Sequence, residues 1–196
     1  MLDHVLSFLK EQLNSYIREK TGGQAFEVLF LQDRNGKEIS LEENAITTLL
    51  VNVEEYKNFP TYKDKLLVGF ATNEREQIAE KQASNLYGLH LYVLYAANFT
   101  NYRQSLTFLS LIIKYFKDHS FFHRRNSPTL SPEIKNLIIK PVNLPLTEQR
   151  EVWSGLGMSY IPSVMYKVSI VCFVKWDPEE LGYDVTEEED KWNPFL

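Results

Sequence analysis

The sequence predicts an α/β domain of the mixed α+β kind, in which a mostly antiparallel sheet is covered by an N-terminal helix and a second, long helix. Three observations lead to this fold class. Apolar residues recur at three- and four-residue steps in residues 2–17 and again in residues 102–116, which is the period of an amphipathic helix. In several short segments, apolar residues recur at every second position, as they do in β-strands. The length of 196 residues suits one domain.

The first helix is predicted to end at Gly22-Gly23, because glycine commonly follows the last turn of a helix. Its apolar residues would form one stripe that faces the sheet. They are Leu2, Val5, Leu6, Leu9, Leu13, Tyr16 and Ile17.

Two strands are expected before residue 57. The segment "AFEVLFLQ" places Phe26, Val28 and Phe30 on one face, and the Asn-Gly pair of "DRNGK" then favours a tight turn. A second strand runs from about Ala45 to Tyr56, with apolar residues on both faces. Residues 57–85 break the pattern and are interpreted as an elaborated excursion between strands, of a length that is usually functional or partly disordered in compact domains.

The segment "LHLYVLYAANFTNYRQSLTFLSLIIKYF" predicts a strand covered on both faces and then the long helix. Within "ANFTNY", Thr100 or Asn101 would cap the helix, which makes this stretch a joint in preference to a ligand site. One stripe of the helix is predicted to contain Tyr102, Leu106, Leu109, Ile113 and Phe116, widened by Phe108, Ile112 and Tyr115.

The last third of the chain predicts a loop over residues 118–132, a strand in "IKNLIIKPV", and a short helix in "EQREVWSGL". Thr147 is expected to cap that helix, and Gly155 or Gly157 to lie near its end. A final strand in "YIPSVMYKVSIVCFV" completes a domain of residues 1–174. Residues 175–196 are interpreted as an acidic tail with aromatic residues.

Composition argues against several partners. The net charge of −5 argues against nucleic acid, and the basic segment "HRRN" is too short to change that expectation. Cys172 is the sole cysteine and is predicted to be buried, so no internal disulfide can form and a reducing compartment is expected. The N-terminus lacks the pattern of a signal peptide, and no apolar segment approaches the roughly 20 residues of a membrane span.

No residue is nominated for catalysis, for a cofactor or for a metal. His119 and His123 are four residues apart but flank "SFF" beyond the expected helix end, so they are not interpreted as a metal pair. The tail is the one candidate for binding. Trp176, Trp192 and Phe195 surround its acidic run and are predicted to be partner-binding anchors. A tail folded back on its own domain is the alternative.

Three segments together resemble the tail-terminator, or cap, proteins of phage-tail-like contractile injection systems, including those related to the antifeeding prophage and the Photorhabdus virulence cassettes. They are "LDHVLSFLKEQLNSYI", the strand and helix segment quoted above, and "LPLTEQREVWSGLGMSYIPSVMYKVSIV". The family patterns "LNLYVLFAANF" and "LW.ALG..Y.PS..YKV" match Leu89 to Phe99 and Val152 to Val168. His90 replaces an expected Asn, and Met165 replaces the usual Leu.

The resemblance implies a non-enzymatic structural protein with a phage tail-terminator-like fold. It implies a hexameric ring at the baseplate-distal end of the particle, with sheath and inner-tube subunits as partners and with neither nucleic acid nor membrane among them. The ring would end polymerisation and hold the sheath extended. The expected location is the bacterial cytoplasm during assembly and then the injection particle.

Three other functions remain open on the sequence. One is an adaptor ring between the tube end and another component. Another is a small hydrolase or nuclease that uses carboxylates of residues 57–85, with Glu74 and Glu76 as the residues to substitute. The last is a monomeric peptide-binding module that uses the aromatic residues of the tail.

Overall fold

A computed structural model describes residues 1–22, 28–30, 41–55 and 86–173. Within these ranges the chain forms three helices and six strands. They are α1 (Leu2–Thr21), β1 (Val28–Phe30), β2 (Ala45–Glu55), β3 (Leu86–Asn98), α2 (Tyr102–Asp118), β4 (Phe121–His123), β5 (Ile134–Pro141), α3 (Leu146–Gly155) and β6 (Ser163–Phe173). The predicted turn "DRNGK", the excursion 57–85 and the tail 175–196 lie outside the described residues.

The strands form one sheet with the order β1-β2-β3-β6-β5-β4. All neighbouring pairs are antiparallel except β1 and β2, which are parallel. The prediction of a mostly antiparallel α+β sheet is therefore confirmed. Because parallel neighbours cannot be joined by a two-residue turn, β1 and β2 do not form a hairpin. The strand β4 lies inside the stretch predicted to be a loop, so that part of the prediction was wrong.

One face of the sheet is covered by α1 and α2, as predicted. Their side chains and the strand residues beneath them form a large buried cluster with the fully buried Tyr95 near its centre, where its ring contacts those of Phe116 and Tyr166. Helix α1 ends at Gly22, whose φ of 69° is the left-handed conformation that glycine adopts without strain. The predicted stripe of α1 is buried or partly buried throughout.

The orientation of α2 differs from the prediction. Its buried side consists of Ser105, Phe108, Leu109, Ile112, Tyr115 and Phe116. Tyr102, Leu106 and Ile113 were predicted to belong to the buried stripe, but they are 65%, 44% and 47% exposed. Apolar residues cover about half of the helix surface, but the sheet buries only the part of this apolar surface that is centred on Ile112. The other three residues are left as an exposed row beside it.

The opposite face of the sheet is covered by α3, which the sequence predicted as a helix without placing it. Trp153 is its one buried residue and packs in a second cluster with Leu94, Ala96 and Met165. The predicted cap was wrong. The helix begins at Leu146, because the carbonyl of Pro145 already accepts a hydrogen bond from the Gln149 amide at 2.9 Å, and Thr147 is inside the first turn.

The stretch "ANFTNY" forms a joint, as predicted, and Asn101 is the cap of α2. Its side-chain oxygen accepts a hydrogen bond from the Arg103 amide at 3.0 Å. The side-chain amide of Asn98 donates hydrogen bonds to the backbone carbonyls of Leu41 and Glu42. These bonds connect the segment before β2 to the end of β3. These polar side chains are therefore used in holding two segments together.

The two halves of β2 differ in burial. Residues 45–49 are buried on both faces, as expected, whereas residues 50–55 are mostly exposed, which the sequence did not predict. The change coincides with an irregularity in pairing with β3 between Leu50 and Asn52. The described residues of β1 pair only with residues 46–48 of β2, so none of them lies beside this second half.

Candidate functional site

A groove opens where β5 separates from β6. The last strand pair is Pro141 with Tyr166, and one further hydrogen bond joins the Val142 amide to the Met165 carbonyl at 2.9 Å. The chain then leaves the sheet towards α3. Between this departing segment, α3 and the start of β6 lies a space of about 430 Å³, which we call the edge groove.

The lining of the edge groove is largely apolar and comes from both sides of the sheet. Ile113 of α2 contributes from one side, and Val152 and Trp153 of α3 contribute from the other. The departing segment and the start of β6 complete the wall with Pro141, Val142, Leu144, Val164, Met165 and Tyr166. An apolar concavity with a few polar groups is the usual form of a binding site for a side chain or small ligand.

Unpartnered polar groups lie among the residues of the edge groove. Among the described residues, the indole Nε1 of Trp153, which is one of the lining residues, is buried without a hydrogen-bond acceptor. Backbone groups along a strand alternate in direction, so the N–H and C=O of Ser163 point to the same side as those of Met165. On that side the departing segment no longer continues the hydrogen-bonded pairing of β5 with β6. A buried donor without an acceptor costs about 1–3 kcal/mol, which an incoming acceptor would offset.

Positive charge lies beside the edge groove. Lys140 and Lys167 are directly opposite each other on β5 and β6, one pair beyond Pro141 and Tyr166. Like charges in this position repel. Across the parts of the chain that the structure describes, neither lysine forms an ion pair with a carboxylate. The arrangement therefore favours an anionic occupant over a cationic one.

Two further surfaces could contact other proteins. The first is apolar: besides the exposed row on α2, Leu146 is 84% exposed and Tyr160 is 61% exposed. The second is the outer edge of β2 at residues 50–55, which has no neighbouring strand among the described residues. Glu54 and Glu55 lie on this edge, and charged residues are a common protection of open strand edges.

A family model, the Pvc16 N-terminal domain, matches residues 4–187. The chain belongs to this family. The match covers nearly all of the described structure and extends into the residues that follow β6.

Two individual proteins are similar to this Pvc16 N-terminal domain over part of their length. A 101-residue stretch, 52% of the chain, is 29% identical to the RecBCD enzyme subunit RecD of Buchnera aphidicola subsp. Acyrthosiphon pisum (strain APS). The other is a sheath/tube terminator of the PVC extracellular contractile injection system, solved by cryo-EM in its extended state. It matches over 89% of this chain with a TM-score of 0.49 and 13% identity. The chain spans 17% of RecD and 57% of the terminator chain.

The histidines and the cysteine of the Pvc16 N-terminal domain have local structural contacts. His119 stacks on Tyr115, and His123 accepts hydrogen bonds from the backbone amides of Arg125 and Asn126, which makes "HRRN" a turn. The thiol of Cys172 donates to the Tyr87 carbonyl, and burial raises its pKa, so it stays protonated. Within the described ranges, no three His, Cys, Asp or Glu residues lie close enough to hold a metal ion.

The predicted binding anchors Trp176, Trp192 and Phe195 lie outside the described residues, as do Glu74 and Glu76, so their roles stay predictions. The sequence did not predict the edge groove. One signal for it exists in "KPVNLP", where two prolines flank the point at which β5 ends, because proline cannot continue a ladder of strand hydrogen bonds. No described helix is long and apolar enough to cross a bilayer.

The pKa of His90 is lowered, first by burial and then by Lys167, while Glu54 opposes the shift. The imidazole is therefore harder to protonate in the folded state than in the unfolded chain. Stability should fall as the pH drops below about 6.5, the usual pKa of an unfolded histidine. When the pH is lowered from about 7.5 to about 5.5, we expect the urea midpoint to decrease more for the native protein than for His90→Asn.

The substitution His90→Asn isolates this residue, because the other three histidines are present in both proteins. Asparagine has no ionisable group and a similar polar character. An equal loss of stability in the two proteins on acidification would contradict the assignment to His90.

Proposed function

We propose that this protein is a non-enzymatic structural cap, or tail terminator, at the baseplate-distal end of a contractile injection system. In this role it ends polymerisation of tube and sheath and holds the sheath extended. The observation that carries the proposal is membership of the Pvc16 N-terminal domain family over residues 4–187. The two stretches that match the family patterns, Leu89 to Phe99 and Val152 to Val168, support it. The first contains most of β3, and the second contains the end of α3 and the start of β6, which pairs with β3.

The cap would act as a ring of identical subunits, and the expected ring is a hexamer. A closed ring requires two different patches on each subunit that fit one another head to tail. The exposed apolar residues supply such patches. Tyr102 and Leu106 on α2 would contribute to one, and Leu146 and Tyr160, at the start of α3 and beyond its end, would contribute to another on the opposite side of the sheet. Sheath and inner-tube subunits of the same particle are the other partners that we propose.

Sheath subunits would bind through the open edge of β2. An extended arm could add a strand along residues 50–55, where the backbone groups have no strand partner among the described residues. Glu54 and Glu55 would favour an arm that carries Lys or Arg at the facing positions. Removal of the sheath arm should abolish binding of the cap, and retained binding would contradict this contact.

The test of the proposed function is the length distribution of assembled particles. Electron microscopy would compare cells that lack the gene, the same cells complemented with the native gene, and the parental strain. We expect particles of variable length, or with lost or contracted sheaths, only in the uncomplemented deletion. Uniform extended particles in all three strains would overturn the assignment as a cap.

An adaptor ring between the tube end and another component gives a different result in the same experiment. Particles would then keep their length and their extended sheath, but would lack the attached component. We propose that the protein is located in the bacterial cytoplasm during assembly and on the particle afterwards, which immunogold labelling at one particle end would test.

A further inference from the structure

We propose that the acidic segment 174–196 of this chain binds its own domain, with Trp192 and Phe195 in the edge groove and the carboxylates before them beside Lys140 and Lys167. This inference does not depend on the proposed function. The occupant is the chain itself, and a second copy of the chain is a competing outcome that the experiment distinguishes.

The first support is the distribution of charge. Residues 174–196 contain eight of the 26 acidic residues and two of the 21 basic ones, a net charge of −6. The remainder of the chain has a net charge of +1. The whole negative charge of the protein therefore belongs to the segment that leaves the end of β6, and the domain from which it leaves is close to neutral with local basic clusters.

The second support is the chemistry of the edge groove. Its apolar lining suits an aromatic side chain, and its volume of about 430 Å³ suits one or two of them. Its lining residue Trp153 has a buried Nε1 without an acceptor among the described residues, and a backbone carbonyl or a carboxylate is an acceptor of the kind it lacks. Lys140 and Lys167 lie on the same side of the sheet as Trp153, because residues of β6 alternate between faces and Met165 packs against Trp153.

The sequence of the segment matches these requirements in order. The run "EEED" at 187–190 comes two residues before Trp192, and Phe195 follows three residues later. Carboxylates next to aromatic residues can therefore reach the two lysines while an aromatic ring occupies the neighbouring groove. Opposite charges beside a desolvated aromatic anchor are the usual composition of a peptide-binding contact.

The third support is reach. β6 ends at Phe173, and the edge groove lies at residues 163–166, about 23–33 Å back along the strand at about 3.3 Å per residue. Trp176 is three residues beyond Phe173, so its Cα lies at most about 10 Å away. Trp192 can extend about 60 Å from the same point. The groove is therefore within reach of Trp192 and Phe195 but beyond the reach of Trp176.

Methionine methyl NMR on the full chain tests the proposal. The protein has three methionines, and Met165 lines the edge groove, while Met158 and Met1 do not. An aromatic ring beside Met165 shifts its methyl resonance. We expect the double substitution Trp192→Ala and Phe195→Ala to move the Met165 signal, with the Met1 signal unchanged. The matched control Trp176→Ala should leave Met165 where it is in the native protein.

A charge reversal provides the second arm. The double substitution Lys140→Glu and Lys167→Glu should move the Met165 signal in the same direction, and adding the tail substitutions to it should cause little further change. An unchanged Met165 signal in the tail variant, or an equal shift in Trp176→Ala, would overturn the proposal. A shift that disappears on dilution would assign the groove to the segment of another copy and would overturn the intramolecular contact.

Discussion

Replacement of Ile112 by alanine is expected to lower the free energy of unfolding by about 2–5 kcal/mol. Ile112 is fully buried in the middle of α2 and packs in the main cluster between the helix and the sheet. Alanine would remove most of the side chain and leave a cavity that the neighbouring strands cannot fill without moving. Urea unfolding followed by circular dichroism would measure the loss as a lower midpoint at an unchanged slope.

The matched control is the next residue along the helix. Ile113 has the same side chain, but it is 47% exposed at the mouth of the edge groove. Alanine also has the higher helix propensity, so Ile113→Ala should change the free energy of unfolding by less than about 1 kcal/mol. If the two variants were equally unstable, the orientation of α2 described above would be wrong.

Replacement of Trp153 by alanine is expected to cost about 3–5 kcal/mol. Trp153 is the one buried side chain of α3, and it connects that helix to Leu94, Ala96 and Met165 on the sheet. Without it, α3 would keep only partly buried apolar contacts with this cluster, such as that of Val152. The loss should appear in urea unfolding and also as faster amide hydrogen exchange in residues 146–155 than in α2.

Tyr160→Ala is the control for this second prediction. The Tyr160 ring meets the Trp153 ring edge to face at a centroid distance of 6.0 Å, but it is 61% exposed. Its removal should cost no more than about 1.5 kcal/mol, the range of an aromatic pair contact. A loss equal to that of Trp153→Ala would show that the exposed ring, and not the buried one, holds α3.

The sequence predicted the elements of this fold better than their orientation. The long helix and the strands before and after it have clear periods of 3.6 and two residues, and the structure has them at nearly the predicted bounds. The face of α2 could not be predicted in the same way. Ile112 and Ile113 are chemically identical, and when apolar residues cover half of a helix, the sheet that receives it decides which of them is buried.

Other differences have equally local causes. The strand β4 spans only "FFH", too short to show an alternation, and its place at the sheet edge depends on β5. Thr147 has the residue type of a cap, but Pro145 fixes an earlier start for α3. The edge groove exists because the pairing of β5 with β6 stops at Tyr166, three residues short of the start of β6 at Ser163. This is a relation between distant segments that no single stretch of sequence contains.

The position of β6 has a consequence for synthesis of the chain. β6 is the last described strand in sequence and pairs on both sides, with β3 and with β5, so it lies inside the sheet. During translation, β2 with β3 and β4 with β5 can form as separate pairs, each with an open edge that only the final strand can close. Contacts between segments so far apart in sequence form slowly. The nascent chain therefore exposes two apolar strand edges until residue 173 has left the ribosome.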